Sequence, residues 1–261
     1  MNPDGLARLR NWFDAYTQTF VLNDREGQKN IDLKIAHTAR VCSLIGRIAE
    51  GESRGIHETL IAETAALFHD IGRFSQYKQY RTFRDSISVN HGRLGADILR
   101  QEHVLDHLPE EEQAAIINAV QFHNAYAIPE LGSQEHLLLL KMVRDADKLD
   151  IWHIFIRLYE GSPSDIPSEA GMGLPDLPVY SDEVLRDIDQ RHTASMTHLR
   201  TLNDFKLMLM SWVYDINFST SIRVLAEQDY IDRLAALLPR TEALTRTRSS
   251  LHSYIRERLG G

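Results

Sequence analysis

Apolar residues recur along most of this chain at the three-to-four-residue spacing of a helix, and no stretch shows the strict alternation of a half-buried strand. Residues 31–50, IDLKIAHTARVCSLIGRIAE, align Ile31, Ile35, Val41, Leu44, Ile45 and Ile48 along such a pattern. Residues 58–70, 91–102 and 110–123 follow the same rule. Asn90 is a good N-cap for the helix that begins after it. Pro109 opens the next one, with Glu110, Glu111 and Glu112 in its first turn, where the helix dipole favours negative charge. A longer helical pattern, residues 135–160, is stopped by Gly161. Residues 161–180, GSPSDIPSEAGMGLPDLPVY, read as a loop rich in Pro, Gly and Ser. Helices then follow at 181–200, 203–227 and 240–259. The fold class is all-α, with a core over residues 1–160, a connecting loop at 161–180 and C-terminal helices over 181–261.

Polar side chains interrupt the apolar faces at a few positions, and these carry chemistry. His37, His69 with Asp70, His91, His123, and Asp145 or Asp147 fall at the ends or on the inward faces of successive helices. His123 follows Ile116 and Val120, and Asp147 follows Leu140 and Val143, at steps of three and four that keep each pair on one face. A carboxylate beside a histidine at the edge of an apolar run is costly unless it is paired or coordinated. All are metal-ligand residue types. The remaining histidines, among them His57, His103, His136, His198 and His252, lie in polar or terminal contexts and read as solvent-facing or structural.

Composition narrows the functional classes. Lys and Arg number 29 against 37 Asp and Glu, a formal net charge of -8, which argues against an extended nucleic-acid surface. With 43% hydrophobic residues the chain fills a sizeable core. No stretch approaches the roughly 18 apolar residues of a membrane span. The lone Cys42 reads as a small buried hydrophobe in a reducing compartment, and the N-terminus has no apolar leader, so a cytoplasmic protein is expected.

The order H, HD, H, H, D, carried most specifically by "FHDIGR" and "VRDADKLD", resembles the HD-domain superfamily of metal-dependent phosphohydrolases over about residues 30–155. The resemblance implies an HD-domain helical bundle in which His37, His69, Asp70 and Asp147 hold one divalent metal. Asp147 is preferred to Asp145 because the family's final Asp precedes a basic residue, as in "ADKL". Relatives with two further histidines hold a second metal, which maps to His91 and His123. Mixed imidazole and carboxylate ligands suit Mn, Fe, Ni or Zn better than Mg. Asp70, with two oxygens, can bridge two ions, and such a pair generates a hydroxide and clamps a phosphate.

The implied activity is hydrolysis of a phosphate ester or anhydride in a small metabolite, a nucleotide first among the candidates, by metal-activated hydroxide. His69, Asp70 and Lys148 form the catalytic set, and Lys148 matches a phosphate-contacting lysine of nucleotide-cleaving relatives. Arg73, Lys78, Arg81 and Arg84, in "GRFSQYKQYRTFRDSISVN", are further candidates for phosphate oxygens. Lys34, Arg40 and Asn124 are weaker ones. The aromatics Phe74, Tyr77, Tyr80 and Phe83, three residues apart, read as a packed helical stripe, and Gly92 and Gly95 as a close helix contact. "FHNAYAIPEL" has Asn124 where cyclic-dinucleotide phosphodiesterases carry another histidine, which points away from that activity. Two other readings fit the same ligands: a di-iron oxygenase, and a non-catalytic metal-containing ligand sensor. The apolar run around Leu207, Met210, Trp212 and Phe218 packs on the core or makes a homodimer contact.

Overall fold

Polar side chains cap three helices of the N-terminal half, and apolar faces then pack the bundle. In the computed structural model, which describes residues 1–161 and 173–260, α1 (Pro3–Gln18) starts where Asn2 accepts from the Gly5 amide. Asp24 does the same for α2 (Arg25–Gly51), accepting from Gly27 N at 2.6 Å. α3 (Ile56–Phe68) is followed after a two-residue corner by α4 (Ile71–Tyr80). Asn90 caps α5 (His91–Gln101) through Arg93 N at 2.8 Å, as its position suggests. α6 (Glu110–Phe122) and α7 (Gln134–Glu160) complete this half.

The chain divides into two compact units, Met1–Asp150 and Ile151–Gly261. In the first, α3 is the central element. Ile61, Ala62, Ala65, Ala66, Leu67 and Phe68 are all buried, and the helix packs on α1, α2 and α6. Fully burying each large side chain is worth about 1.5–3 kcal/mol. On α2 the buried face holds Ile31, Val41, Ile45 and Ile48, while Ile35 and Leu44 are only half-buried. The aromatic stripe is packed as expected at Phe74 and Tyr77, with Phe74 edge-on to Phe13 at 5.8 Å. Cys42 is buried, which pushes its thiol up to about 12.

Periodicity alone misses α1, marks α4 only through its helical aromatic stripe, and places α2 six residues late. In the second unit it overruns two breaks. The helix expected over 181–200 is α8 (Asp182–Asp189), ended by Arg191 in a left-handed conformation with φ 59°. The Asp187 carboxylate accepts from Ser195 N and His198 Nδ1, which draws the chain into a short 3-10 turn, Met196–His198. The helix expected over 203–227 is α9 (Leu202–Ser211), a 3-10 turn Trp212–Asp215, and α10 (Ser219–Glu227). Asn217 explains the break, its Nδ2 donating to the Asp215 carbonyl instead of leaving the backbone to a helix. α11 (Tyr230–Ala236) and α12 (Glu242–Arg258) follow. Of the loop expected over 161–180, residues 162–172 lie outside the described residues. Among the described residues there is no strand, and no helix is long and apolar enough to cross a membrane.

Trp152 anchors the second unit. It is fully buried, its Nε1 donates to the Leu209 carbonyl at 2.8 Å, and its ring lies 6.0 Å from that of Tyr230. Trp152→Phe removes this hydrogen bond, leaving the Leu209 carbonyl only its bond from the Trp212 amide, and opens a small void. Urea denaturation should show a loss of about 2 kcal/mol.

Candidate metal centre

Six side chains from five separate segments of the first unit converge. His37 lies on the buried face of α2, one turn from Val41. His69 and Asp70 occupy the corner between α3 and α4, where the chain leaves helical geometry at Asp70 (φ -104°, ψ 15°). His91 is the first residue of α5, His123 caps the C-terminus of α6, and Asp147 projects from α7. His37, His69, Asp70, His91 and His123 are all buried; Asp147 is the most open of the six, with 16% of its side chain exposed.

Close backbone contacts set this convergence. A Cβ on Gly92 would stand 2.8 Å from the Asn124 Oδ1 and the Gln121 carbonyl oxygen, and one on Gly95 3.1 Å from Ile71 and Val120. A Cβ on Gly72 would collide with the carbonyl oxygen of His91. The start of α5 therefore tucks against α4 and the end of α6, as expected for Gly92 and Gly95, and His91 is carried to His123.

The donor atoms fall into two groups that share Asp70. In the first, His37 Nε2 lies 3.1 Å from His69 Nε2, 3.1 Å from Asp147 Oδ1 and 3.5 Å from Asp70 Oδ2. In the second, His91 Nε2 lies 3.0 Å from His123 Nε2 and 3.3 Å from Asp70 Oδ1, with His123 Nε2 3.7 Å from that same oxygen. Each oxygen of Asp70 thus faces one group.

The proton inventory decides what this arrangement is for. His69 Nδ1 lies 2.7 Å from the Ala66 carbonyl oxygen and His123 Nδ1 2.7 Å from that of Val120. His37 Nδ1 lies 2.6 Å from Asp150 Oδ2, and His91 Nδ1 2.7 Å from Asp85 Oδ2. Carbonyl and carboxylate oxygens only accept, so all four Nδ1 atoms donate. In the neutral rings every Nε2 is then a lone pair, and two pairs of lone pairs face each other at hydrogen-bond distance with no proton between them. Such an array is repulsive by itself and fits a cation. Donors about 2.1 Å from one ion stand roughly 3.0 Å apart at right angles and roughly 3.4 Å apart at tetrahedral angles, close to the separations within each group.

Charge states agree. Burial drives His69 down to about 4 and His91 down to about 3, so both are neutral at physiological pH, the form that ligates. Burial and Lys34 work against a proton on His37, but Asp147 and Asp150 outweigh them and raise it. The charge that draws a proton there would serve a cation equally. Burial would raise Asp70, yet Lys34, His69 and Arg73 hold it well below the usual carboxylate range, and neighbouring imidazoles do the same for Asp147.

The basic candidates are distributed unequally. Lys34 Nζ sits 2.7 Å from Asp70 Oδ2, and Arg73 Nε 3.3 Å from Asp70 Oδ1. Phe83 lies against both cations, its ring centre 5.5 Å from the Lys34 ammonium and 5.8 Å from the Arg73 guanidinium. Lys148 is buried beside Asp147. Lys78 lies over Phe20 and near the Thr19 carbonyl, Arg81 pairs with Asp24, and Arg84 is exposed, so the structure does not bring these three to the cluster. Arg40 is bound to Asp150, its Nε 2.6 Å from Oδ1. Asp145 is buried but belongs to neither donor group.

Sequence reasoning missed two carboxylates here. Asp150, which orients His37, was signalled by standing one turn after Asp147 on the same helix. Asp85, which orients His91, lies in the α4–α5 connection and has no periodic signal. Residues 35–152 match the family model of the HD domain, a match that contains all six converging side chains. The chain matches no curated protein and no solved structure.

Proposed function

Since residues 35–152 form an HD domain, of a superfamily of metal-dependent hydrolases, we propose that the chain is a dinuclear phosphohydrolase acting on a small phosphorylated metabolite, a nucleotide being the first candidate. The observation that carries this reading is the set of four Nε2 lone pairs in two groups, each facing one oxygen of Asp70. His37, His69, Asp70 and Asp147 would hold one ion, and Asp70, His91 and His123 the other. Two divalent transition metals so held supply a nucleophilic water at neutral pH and positive charge opposite the phosphate oxygens.

The chain's own groups complete the chemistry. The four Nδ1 hydrogen bonds fix ring orientation, so the lone pairs need no reorganisation when ligands assemble. Lys34, 2.7 Å from Asp70 Oδ2, stands at the cluster, where an ammonium neutralises charge that develops on a phosphate oxygen; Lys148, next to Asp147 in the chain, is the second candidate for that role. The Phe83 ring keeps Lys34 and Arg73 in place and screens them from water. Asp147, the most open ligand, marks the side from which substrate reaches the site.

Protein purified anaerobically without chelators should contain close to two equivalents of Mn, Fe, Ni or Zn per chain. It should release phosphate or pyrophosphate from at least one member of a nucleotide panel with oxygen excluded, and lose that activity on chelation. Product formation only with oxygen and reduced iron would replace this reading with oxygenase chemistry. Tight nucleotide binding without product under every metal would replace it with a sensor.

A further inference from the structure

The two outer histidines of the centre are oriented by carboxylates of very different standing. Asp150 supports His37 from the same helix that carries Asp147, is 1% exposed, and has Arg40 on its other oxygen. The corresponding support for His91 is Asp85, on a short 3-10 turn, Asp85–Ile87, with 27% of its side chain exposed. Asp85 gathers donors from three elements. Its oxygens lie 2.7 and 2.9 Å from His91 Nδ1, 3.0 Å from Arg73 Nη1, 2.9 Å from Gln76 Nε2 and 2.9 Å from Asn124 Nδ2. Burial would raise this carboxyl, but His91 and Arg73 bring it down to about 2, so it is ionised.

These contacts all belong to one half of the centre. Arg73 reaches Asp70 through Oδ1, the oxygen that faces His91 and His123, whereas Lys34 reaches it through Oδ2, the oxygen that faces His37 and His69. Asn124 directly follows His123 and spans to Asp85. One set, Arg40, Asp150 and Lys34, therefore supports the first group; the other, Asp85, Arg73, Gln76 and Asn124, supports the second.

Resting on the dinuclear reading above, we infer that Asp85 is the positioning residue of the second metal position and that this position is the weaker and more readily emptied of the two. Its key carboxylate is reached by solvent and carried on a connection between helices, where local opening costs less than in the core. Removing that charge frees the His91 ring and leaves Arg73 to compete for Asp70 Oδ1. The first group keeps every one of its own contacts. Loss of such an outer carboxylate lowers metal affinity by about 10–100-fold.

The test is titration of metal-free protein with Mn(II), following bound ion by equilibrium dialysis and the coupled-pair signal by electron paramagnetic resonance. Wild type should take up two equivalents, the second more weakly. Asp85→Asn should keep the first Kd and raise the second by about 10–100-fold, with the coupled signal lost at intermediate Mn(II). Asp150→Asn should weaken the tight equivalent instead. An unchanged second Kd in Asp85→Asn, or equal weakening of both, overturns the assignment. If Asp85→Asn does not fold, as judged by circular dichroism, Asn124→Ala decides: a weaker second Kd with the first unchanged supports it, and no change overturns it. A wild type that binds a single ion refutes the dinuclear reading itself, an outcome distinct from two ions bound alike by wild type and variants.

Discussion

Asp70→Ala should abolish both metal equivalents and lower kcat/KM by about 1,000-fold or more, roughly 4 kcal/mol of transition-state stabilisation. No other single side chain belongs to both donor groups. The contrast with neighbouring substitutions makes the expectation specific: His91→Ala removes one donor from the second group alone, and His37→Ala one from the first. Folding should respond far less. Lys34 and Arg73, the cations on Asp70, are each 15% exposed and can turn to water when their partner is gone. Urea denaturation of the metal-free variant should therefore fall within about 2 kcal/mol of wild type, below the range for leaving a charge stranded in the interior. Activity, metal content and stability measured on the same preparation separate loss of the centre from loss of the fold. Retained turnover with both ions present would remove Asp70 from its bridging place.

How far this centre could be read in advance depends on what each residue needs from its surroundings. The six candidate ligands were legible because metal chemistry restricts residue type, and because His37, His123 and Asp147 stand on apolar faces where a polar side chain calls for a reason. Asp150 was within reach of the same logic, one helical turn beyond Asp147. Asp85 was not, since a loop residue reaches His91 through the path of the chain and no periodicity records that path. Among the basic residues, type and nearness in sequence gave too little. Arg81 adopts a left-handed conformation with φ 55° at the end of α4, and its guanidinium meets Asp24. Arg73, in the first turn of α4 just past Asp70, is drawn in by the carboxylates of Asp70 and Asp85. The second unit was legible as helices but not in its breaks, because Asp187 and Asn217 act through side chain to backbone hydrogen bonds that compete with propensity.

Gly72→Ala tests whether the glycine of the "HDIGR" stretch is what holds the two halves of the centre at contact distance. An alanine at an ordinary helical glycine stabilises by up to about 1 kcal/mol. Gly46, on α2, is such a site: its nearest neighbour is the Glu63 Oε1 at 3.4 Å, the end of a flexible side chain, so Gly46→Ala should raise stability or leave it unchanged. At Gly72 the obstacles are the His91 carbonyl and the Gly95 amide nitrogen, the latter at 2.8 Å, both backbone atoms of α5. Neither can turn aside, so α4 and α5 must separate. Overpacking of this kind costs about 3 kcal/mol. Moving the first turn of α5 also withdraws His91 from His123 and from Asp70 Oδ1, so the same variant should lose the second metal equivalent before the first. Denaturation midpoints and Mn(II) stoichiometry for the two glycine variants measure both effects. If Gly72→Ala were as stable as Gly46→Ala with two ions still bound, the close crossing of α4 and α5 would not be what brings His91 to the centre.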